Sequence, residues 1–416
     1  MKELKKSTRR EPVSRKKNTA EKKEQTAKKS TKKNTGKEIK KENKKDTEKG
    51  TWKSVTKERV YDPNGKVLMI TYACVILFLA LAVYMGYFLQ MKSEDVINNP
   101  YNARLDSFSD RIVRGSILAS DGTVLAETTT DDAGNETRVY NYGGVFDHAV
   151  GYSSKGKTGI EAMANFYLLS SHVNLVEQAG NELAGAKNLG DSVVTTLDME
   201  LQQAAYAALG DRRGAVIAME PDTGKILAMV SKPGYDPNTL LQDWASLTDS
   251  SNNQGQLVNR ATAGLYPPGS TFKIVTALEY MREHPDDYKD FHFDCNGVYH
   301  NGDYSIKCFH SEAHGSQDFM KAFANSGAFS SLGLTMDLDR FHATAEELLF
   351  NNPLPLSGYS YKESSFNMKG GAGTWEVLQT SIGQGTTLIT PLHNALITAA
   401  VANGGTLMKP YLLDRV

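Results

Sequence analysis

The chain has 416 residues, with 47 Lys and Arg against 48 Asp and Glu, for a formal net charge of −1. That balance hides a split: residues 1–66 carry 24 basic and 10 acidic side chains, and the remainder carries 23 basic and 38 acidic. The length allows two or three domains with a sizeable core. Three cysteines exclude a disulfide-dense mini-protein, and 35 Gly with 13 Pro exclude a fibrous chain.

Residues 1–66 are rich in Lys, Glu, Thr, Ser and Asn. With almost no large apolar side chain they cannot offset the entropy of ordering, and they are expected to form a disordered, basic tail. Residues 67–89, VLMITYACVILFLALAVYMGYFL, hold no charge and no proline. At about 1.5 Å per residue they reach across a hydrocarbon core of about 30 Å. Tyr72, Tyr84 and Tyr87 sit towards the ends, where amphipathic rings favour the interface. The run is longer than a signal-peptide core and is followed by bulky residues, so an uncleaved single-pass anchor is expected. The Lys-rich flank places the N-terminus in the cytoplasm and the rest outside. Beside such a helix, the tail reads as drawn to anionic lipid rather than as a nucleic-acid arm.

Residues 90–110 form a juxtamembrane linker. Arg111–Ile117 and Thr123–Ala126 flank Asp121-Gly122, a strand–turn–strand signal. Within residues 158–190, Ile160, Met163, Ala164, Tyr167 and Leu168 carry a helical apolar pattern. Val193–Leu197 reads as a strand, Glu200–Leu209 as a helix, and Gly214–Glu220 with Ile226–Val230 as a hairpin. Residues 234–265 are loop-rich, and no internal repeat is visible.

From residue 266 the chain reads Tyr-Pro-Pro-Gly-Ser-Thr-Phe-Lys. A helix is expected to start near Ser270, with that serine as N-cap. Ile274, Ala277, Leu278 and Met281 recur at helical spacing, and Phe272 and Val275 add apolar surface on another side, the pattern of a buried helix. Ser270 and Lys273 then share one face, one turn apart. A hydroxyl is a weak nucleophile; a lysine amine can serve as its base if burial lowers its pKa. Unpaired N–H groups at the helix start would stabilise a developing oxyanion. The bare Ser-x-x-Lys pattern is weak evidence, since it also begins at Ser14, Ser30, Ser54 and Ser154. Only at Ser270 does a helix start meet an apolar continuation.

The segment NRATAGLYPPGSTFKIVTAL (259–278) resembles the active-site segment of class B penicillin-binding proteins. RIVRGSILASDGTVLA (111–126) and GKTGIEAMANFYLL (156–169) resemble their pedestal motifs. TTLDMELQQAA (195–205) and GAVIAMEPDTGKILAMVSKPGYDPN (214–238) are similar to the opening of their transpeptidase domain. HGSQDFMKAFANS (314–326) and SIGQGTTLITPLHNALITAAVANGG (381–405) are similar to later segments. The likeness covers about residues 100–416, in the family's order.

This resemblance implies an α/β (α+β) architecture. A transmembrane helix would be followed by a pedestal, dimerisation-like domain (90–190), then by a transpeptidase domain (191–416) with an antiparallel sheet flanked by helices. The implied activity is peptidoglycan D,D-transpeptidation through an acyl-serine intermediate, with β-lactams acylating the same serine. Ser270 would be the nucleophile, Lys273 the base and Ser326 a proton shuttle, with Gly269, Thr271, Gly383 and Gly385 binding substrate. No cofactor or nucleic acid is implied; a SEDS-family glycosyltransferase is the implied membrane partner.

The sequence departs from the family's pattern in two places. The Ser-x-Asn element should follow the helix around Phe319–Phe323, but the chain reads Asn325-Ser326-Gly327, with no counterpart for the Asn. Ser365-Phe366-Asn367, the Ser250–Asn253 run and Lys157-Thr158-Gly159 spell parts of the signatures out of order, and are read as structural or incidental. The third signature, Lys-Ser/Thr-Gly, is expected beyond Val416, so the chain is read as a truncated record without its last strands. If 416 is the natural end, little transpeptidation is expected. Two other readings are a non-catalytic wall scaffold and a membrane β-lactam sensor. A sensor needs a cytoplasmic signalling domain, for which the tail is too unstructured.

Cys74 reads as an apolar filler within the anchor. Cys295 and Cys308 fall outside, where disulfides persist. His310 and His314 follow, but the order is wrong for a zinc finger. The expectation is a Cys295–Cys308 disulfide and no metal, with zinc and an unbridged pair as alternatives.

Overall fold

The computed structural model describes residues 63–93, 96, 109–251, 254–325 and 328–416; the basic tail expected over 1–66 lies almost wholly outside them. Helix α1, Pro63–Met91, opens on a proline, whose fixed φ suits a first helical turn. Its best 18-residue window has a mean hydropathy of 2.6, and none of that window is buried against protein. It is the one helix among the described residues long and apolar enough to cross a membrane. This helix is compatible with a membrane anchor.

The part from residue 109 onward is built on two main cores, with a smaller apolar cluster of Tyr152, Tyr235, Leu240 and Leu247. The first lies behind a five-stranded sheet. Strands β1 (Ile117–Leu118), β2 (Val124–Thr130) and β3 (Glu136–Tyr140) are antiparallel neighbours, and the β1–β2 turn runs through Gly122 at φ +89°. Helix α2, Gly159–Met163, packs behind them, and strand β4, Val193–Thr195, pairs parallel with β1. The strand Leu413–Arg415 adds to the far edge of β4. Residues placed by sequence in two different domains therefore share one sheet. Strand pairing joins segments more than two hundred residues apart, which local periodicity cannot foresee.

Glu161 on α2 is the hub of the first core. It is fully buried and accepts bonds from Arg114 Nε at 2.6 Å, Arg138 Nε at 2.7 Å and the Tyr140 hydroxyl at 3.2 Å. Arg114 also donates to Asn165 Oδ1 at 2.6 Å. Burial alone would push the Glu161 carboxyl up; Arg114 and Arg138 outweigh it and hold the group below its ordinary value. Gly115, next to Arg114, passes so close to Asp191 that a Cβ would stand 1.9 Å from that carbonyl oxygen. The Arg-Gly pair is thus one charge for the hub and one absent side chain for a crossing strand.

Helix α3, Met199–Leu209, is capped by Asp198, which accepts from Leu201 N at 2.8 Å. It lies on the antiparallel hairpin β5 (Gly214–Met219) and β6 (Ile226–Lys232). The second core is helical and aromatic. It gathers Phe272, Val275, Tyr280, Phe319, Phe329, Phe341, Phe350 and Phe366 around helix α4, Lys273–Glu283.

Replacing Glu161 by Gln would leave two guanidinium groups facing a neutral partner. The expected destabilisation is about 3–5 kcal/mol, read as a fall in the thermal unfolding midpoint. Because the native pKa is depressed, the charge contribution is present above the unfolded value near 4.5 and is lost as pH falls through the lower native value. Wild type should therefore lose stability on acidification in that window, and the Gln variant should lose less; equal acid sensitivity would refute the assignment.

Candidate active site

The chain enters the site through a reciprocal backbone pair. Tyr266 N donates to Ile389 O at 3.0 Å, and Ile389 N donates to Tyr266 O at 2.8 Å. Two prolines and Gly269, at φ +58°, then turn it into a short 3₁₀ segment, Gly269–Phe272, which runs on into α4. Ser270 stands inside that turn and is exposed. It is not the N-cap expected from the sequence: the turn begins after Pro268 and has no side-chain cap. The Pro-Pro-Gly kink starts the helical turn two residues earlier than the Ser-cap rule places it, so the hydroxyl is not spent on the helix end. Thr271 Oγ1 instead donates back to Pro268 O at 2.9 Å.

Phe272 fixes the orientation of the turn. Its ring is buried and lies 5.4–6.0 Å from those of Phe366, Phe350 and Phe341. With Phe272 locked inward, Ser270 is left outside and Lys273 begins α4. Lys273 is 3 % exposed, and its Nζ donates to Phe323 O at 2.7 Å. The rings of Phe323 and Phe329 have centroids 5.7 and 5.9 Å from the amine. Burial lowers the Lys273 pKa below its ordinary value, and the charge of Cys308 opposes that shift without reversing it.

Gly383 is brought to the Ser270 turn by backbone contact. Gly269 N donates to Gly383 O at 2.8 Å. Gly383 has φ +72°, and a Cβ there would stand 2.1 Å from Gly269 O and 2.6 Å from Phe272 Cβ. Gly385, at φ +76°, lies in the following turn beside Thr380. The structure therefore gathers Gly269, Ser270, Thr271, Lys273 and Gly383, with Gly385 two residues further along. Ser326, expected as the shuttle, lies outside the described residues, as does Gly327. Lys157-Thr158-Gly159 stands at the start of α2, where Gly159 packs against the Ala149–Gly151 backbone. Ser365 pairs with Leu388, and Phe366 is one of the rings around Phe272.

Sequence reasoning missed the Phe323 carbonyl, because a main-chain acceptor leaves no residue signature. It also misread the cysteines. Cys295 and Cys308 stand with their sulfurs 3.4 Å apart, well beyond the roughly 2.05 Å of a disulfide, so the expected bridge is not formed. His314 Nδ1 lies 3.4 Å from Cys295 Sγ. These three residues are the group among the described residues that could hold a metal.

Residues 214–416 match the penicillin binding protein transpeptidase domain family, and residues 114–193 match the penicillin binding protein A dimerisation domain family. Peptidoglycan D,D-transpeptidase PbpA of Mycolicibacterium smegmatis is 32% identical over 339 residues, covering 76% of this chain and 68% of that protein. Peptidoglycan D,D-transpeptidase MrdA of Acinetobacter baumannii is 29% identical over 323 residues, covering 67% of this chain and 47% of that protein. Among solved structures, penicillin-binding protein A from Mycobacterium tuberculosis, as its imipenem acyl-enzyme complex, superposes with a TM-score of 0.65 at 29% identity, covering 74% of each chain. An exposed serine one turn before a buried lysine, on an aromatic helical core, defines the serine acyl-transfer class of penicillin-recognising proteins. Within it, the chain belongs to the class B penicillin-binding proteins.

Gly383→Ala puts a methyl group into backbone that cannot move without shifting the Ser270 turn. The expected cost is about 1–3 kcal/mol in thermal unfolding. Gly371→Ala, at an equally positive φ but with nothing within 4 Å, supplies the control for backbone strain alone. Equal losses for the two variants would show that the close approach of Gly383 to Gly269 carries no weight.

Proposed function

We propose that this chain is a membrane-anchored peptidoglycan D,D-transpeptidase in which Ser270 is the nucleophile and Lys273 the base. Supporting this are the relatives named as D,D-transpeptidases and the acyl-enzyme form of a structural neighbour. The observation that carries it is the burial of the Lys273 amine three residues after an exposed serine.

In its neutral form, which burial favours, the Lys273 amine has a lone pair for the serine proton while one of its N–H bonds is held by Phe323 O. Ser270 Oγ attacks the carbonyl between the two D-alanines of a stem peptide, and its proton passes to Lys273 Nζ. Gly269 N is held by Gly383 O, so the next N–H of the turn, that of Ser270, is assigned to the developing oxyanion. The peptide C–N bond breaks, and the departing D-alanine amine takes the proton from Lys273. An amine of a neighbouring stem then attacks the acyl-serine; its proton returns through Lys273 to Ser270 Oγ, and a cross-link is formed. Ser326 is assigned to proton shuttling between the two, and Gly269, Thr271, Gly383 and Gly385 to holding the substrate backbone. A β-lactam acylates Ser270 in the same way and does not leave readily.

In this reading residues 90–190 act as pedestal and 191–416 as the transpeptidase part. The Lys-rich flank of α1 keeps the N-terminus cytoplasmic and the catalytic part outside. A polytopic SEDS-family glycosyltransferase is the proposed partner in the membrane.

Incubation with a fluorescent penicillin tests the assignment. The chain should label covalently, and Ser270→Ala should abolish the label; no labelling of a folded chain would favour a wall scaffold instead. Removal of the base in Lys273→Ala should slow acylation by about 10²–10⁴-fold. Since the base must be neutral and its pKa is lowered, the acylation rate should rise with pH and reach half its plateau below 10.5. A half-plateau at or above that ordinary lysine value would rule out the buried amine as base.

A further inference from the structure

The helix Leu175–Ala184 has its two sides the reverse of what burial would dictate. It is well formed: Asn174 caps it by accepting from Glu177 N at 2.9 Å, and Gly185, at φ +64°, closes it. Yet Asn181 is the one residue of the helix that is not exposed. Leu175, Val176 and Leu183 are 82, 83 and 91 % exposed. At about 3.6 residues per turn, Leu175, Val176, Ala179, Gly180 and Leu183 fall on one side, and Glu177, Gln178, Asn181 and Glu182 fill the other. Asn181 Nδ2 donates to Asn188 Oδ1 at 2.9 Å. The polar side is therefore turned to the protein and the apolar side away from it.

A surface helix ordinarily gains its stability by packing an apolar stripe on the core, and 10 residues are too few to hold a helix in water by propensity alone. This stripe needs an apolar surface outside the chain. A second copy of the helix does not supply it. A face about 15 Å long and about 10 Å wide gives two copies a few hundred Å² of contact, against about 1,200 Å² for a stable protein interface. The foot of the helix shows what does. The strand Asn188–Leu189 pairs in parallel with Ile112–Val113, Asn188 N donates to Arg111 O at 3.0 Å, and Lys187 Nζ donates to Ser109 O at 2.8 Å. The helix is thus rooted on the residues where the chain arrives from α1. Helical bonding after α1 runs to Val96, whose N–H donates to Lys92 O at 3.2 Å, and residues 97–108 join it to Ser109. At about 3.6 Å per residue, that tether holds Ser109 within roughly 45 Å of Val96.

We propose that the helix Leu175–Ala184 docks Leu175, Val176 and Leu183 into the surface of the lipid bilayer that holds α1. The docking rests on the reading of α1 as a membrane anchor. A helix of this kind lies in the plane of the interface, with its apolar side about 5–10 Å into the boundary between headgroups and acyl chains. One short helix binds lipid weakly by itself, but a tether to a segment already in the bilayer raises its effective concentration there to about the millimolar range. The helix has two glutamates and no basic residue, so the contact is apolar and not an attraction to anionic lipid. Asn181 keeps its bond to Asn188 in the docked state. With α1 and this helix both held, the chain has two points on the membrane, which restricts how the rest of it, Ser270 included, tilts against the bilayer.

Tryptophan placed on the helix reads the contact in the full chain, reconstituted at one chain per phosphatidylcholine nanodisc. Leu183→Trp should add emission that is shifted to shorter wavelength. Lipid brominated near the headgroup end of its acyl chains should quench that emission more than lipid brominated at the chain ends. Leu241→Trp, at another exposed leucine on the helix Leu240–Thr248, should be neither shifted nor quenched. Wild type supplies the background of the 3 native tryptophans. Val176→Asp in the Leu183→Trp chain should abolish the quenching, with the thermal unfolding midpoint in detergent unchanged, and added salt should leave the quenching of Leu183→Trp in place. If Val176→Asp lowers the midpoint, the contrast between Leu183→Trp and Leu241→Trp still decides. Absence of quenching in a chain that stays with the discs overturns the docking and leaves the anchor standing. A chain that does not enter the discs overturns the anchor and the docking together, and penicillin labelling of Ser270 succeeds or fails independently of both. A shift that appears only with two chains per disc, or only after another membrane protein is added, overturns lipid as the occupant.

Discussion

A lysine that is 3 % exposed is expensive to keep charged, and the second core of this protein is packed around it. Lys273 sits where a tight turn becomes a buried helix, facing a main-chain carbonyl and two aromatic rings. A carboxylate in place of the carbonyl would stabilise the ammonium and leave the lysine a poor base. A main-chain acceptor takes a hydrogen bond from a neutral amine as well as from a charged one, so desolvation decides the outcome. In the proposed mechanism, the reactivity of Ser270 depends on that desolvation.

The geometry that keeps Lys273 buried is held from two sides. From inside, Phe272 locks the turn against Phe341, Phe350 and Phe366, so a residue between Ser270 and Lys273 is a packing anchor. From outside, the Gly383 carbonyl holds Gly269 N, and Thr276 Oγ1 on α4 donates to Ser381 O at 2.8 Å. The Ser-Ile-Gly-Gln-Gly run is thereby tied to the Ser270 turn at Gly269 and to α4 at Thr276, seven residues on.

Behind the site, the pedestal and the transpeptidase part are continuous rather than merely adjacent. They share the five-stranded sheet, and one apolar core contains residues from both, among them Ile160, Leu168, Ile226, Met229, Leu392 and Leu412. Buried polar ties add to it. Asp147 accepts from Tyr235 N at 2.9 Å, and the Tyr359 hydroxyl donates to His148 O at 2.6 Å. Movement of one part relative to the other would have to break these bonds in a low-dielectric interior, where unpaired polar groups are costly.

The anchor, the hairpin at residues 214–232, helix α3 and the Ser270–Lys273 pairing were all legible in the sequence. Each is set by local pattern: an uncharged run, apolar strands around a turn, a short helical stretch, and a three-residue interval at a helix start. The exact start of the nucleophile turn was not, because the Pro-Pro-Gly kink outweighed the capping preference of serine. Nor could local pattern show that strands 193–195 and 413–415 join the pedestal's sheet, that a carbonyl fifty residues away holds Lys273, or that Cys295, Cys308 and His314 meet with their sulfurs unbridged. Those facts belong to contacts between segments distant in sequence. Chain order fixes which chemistry is available to a protein, whereas long-range packing fixes which groups lose water and which atoms come within reach.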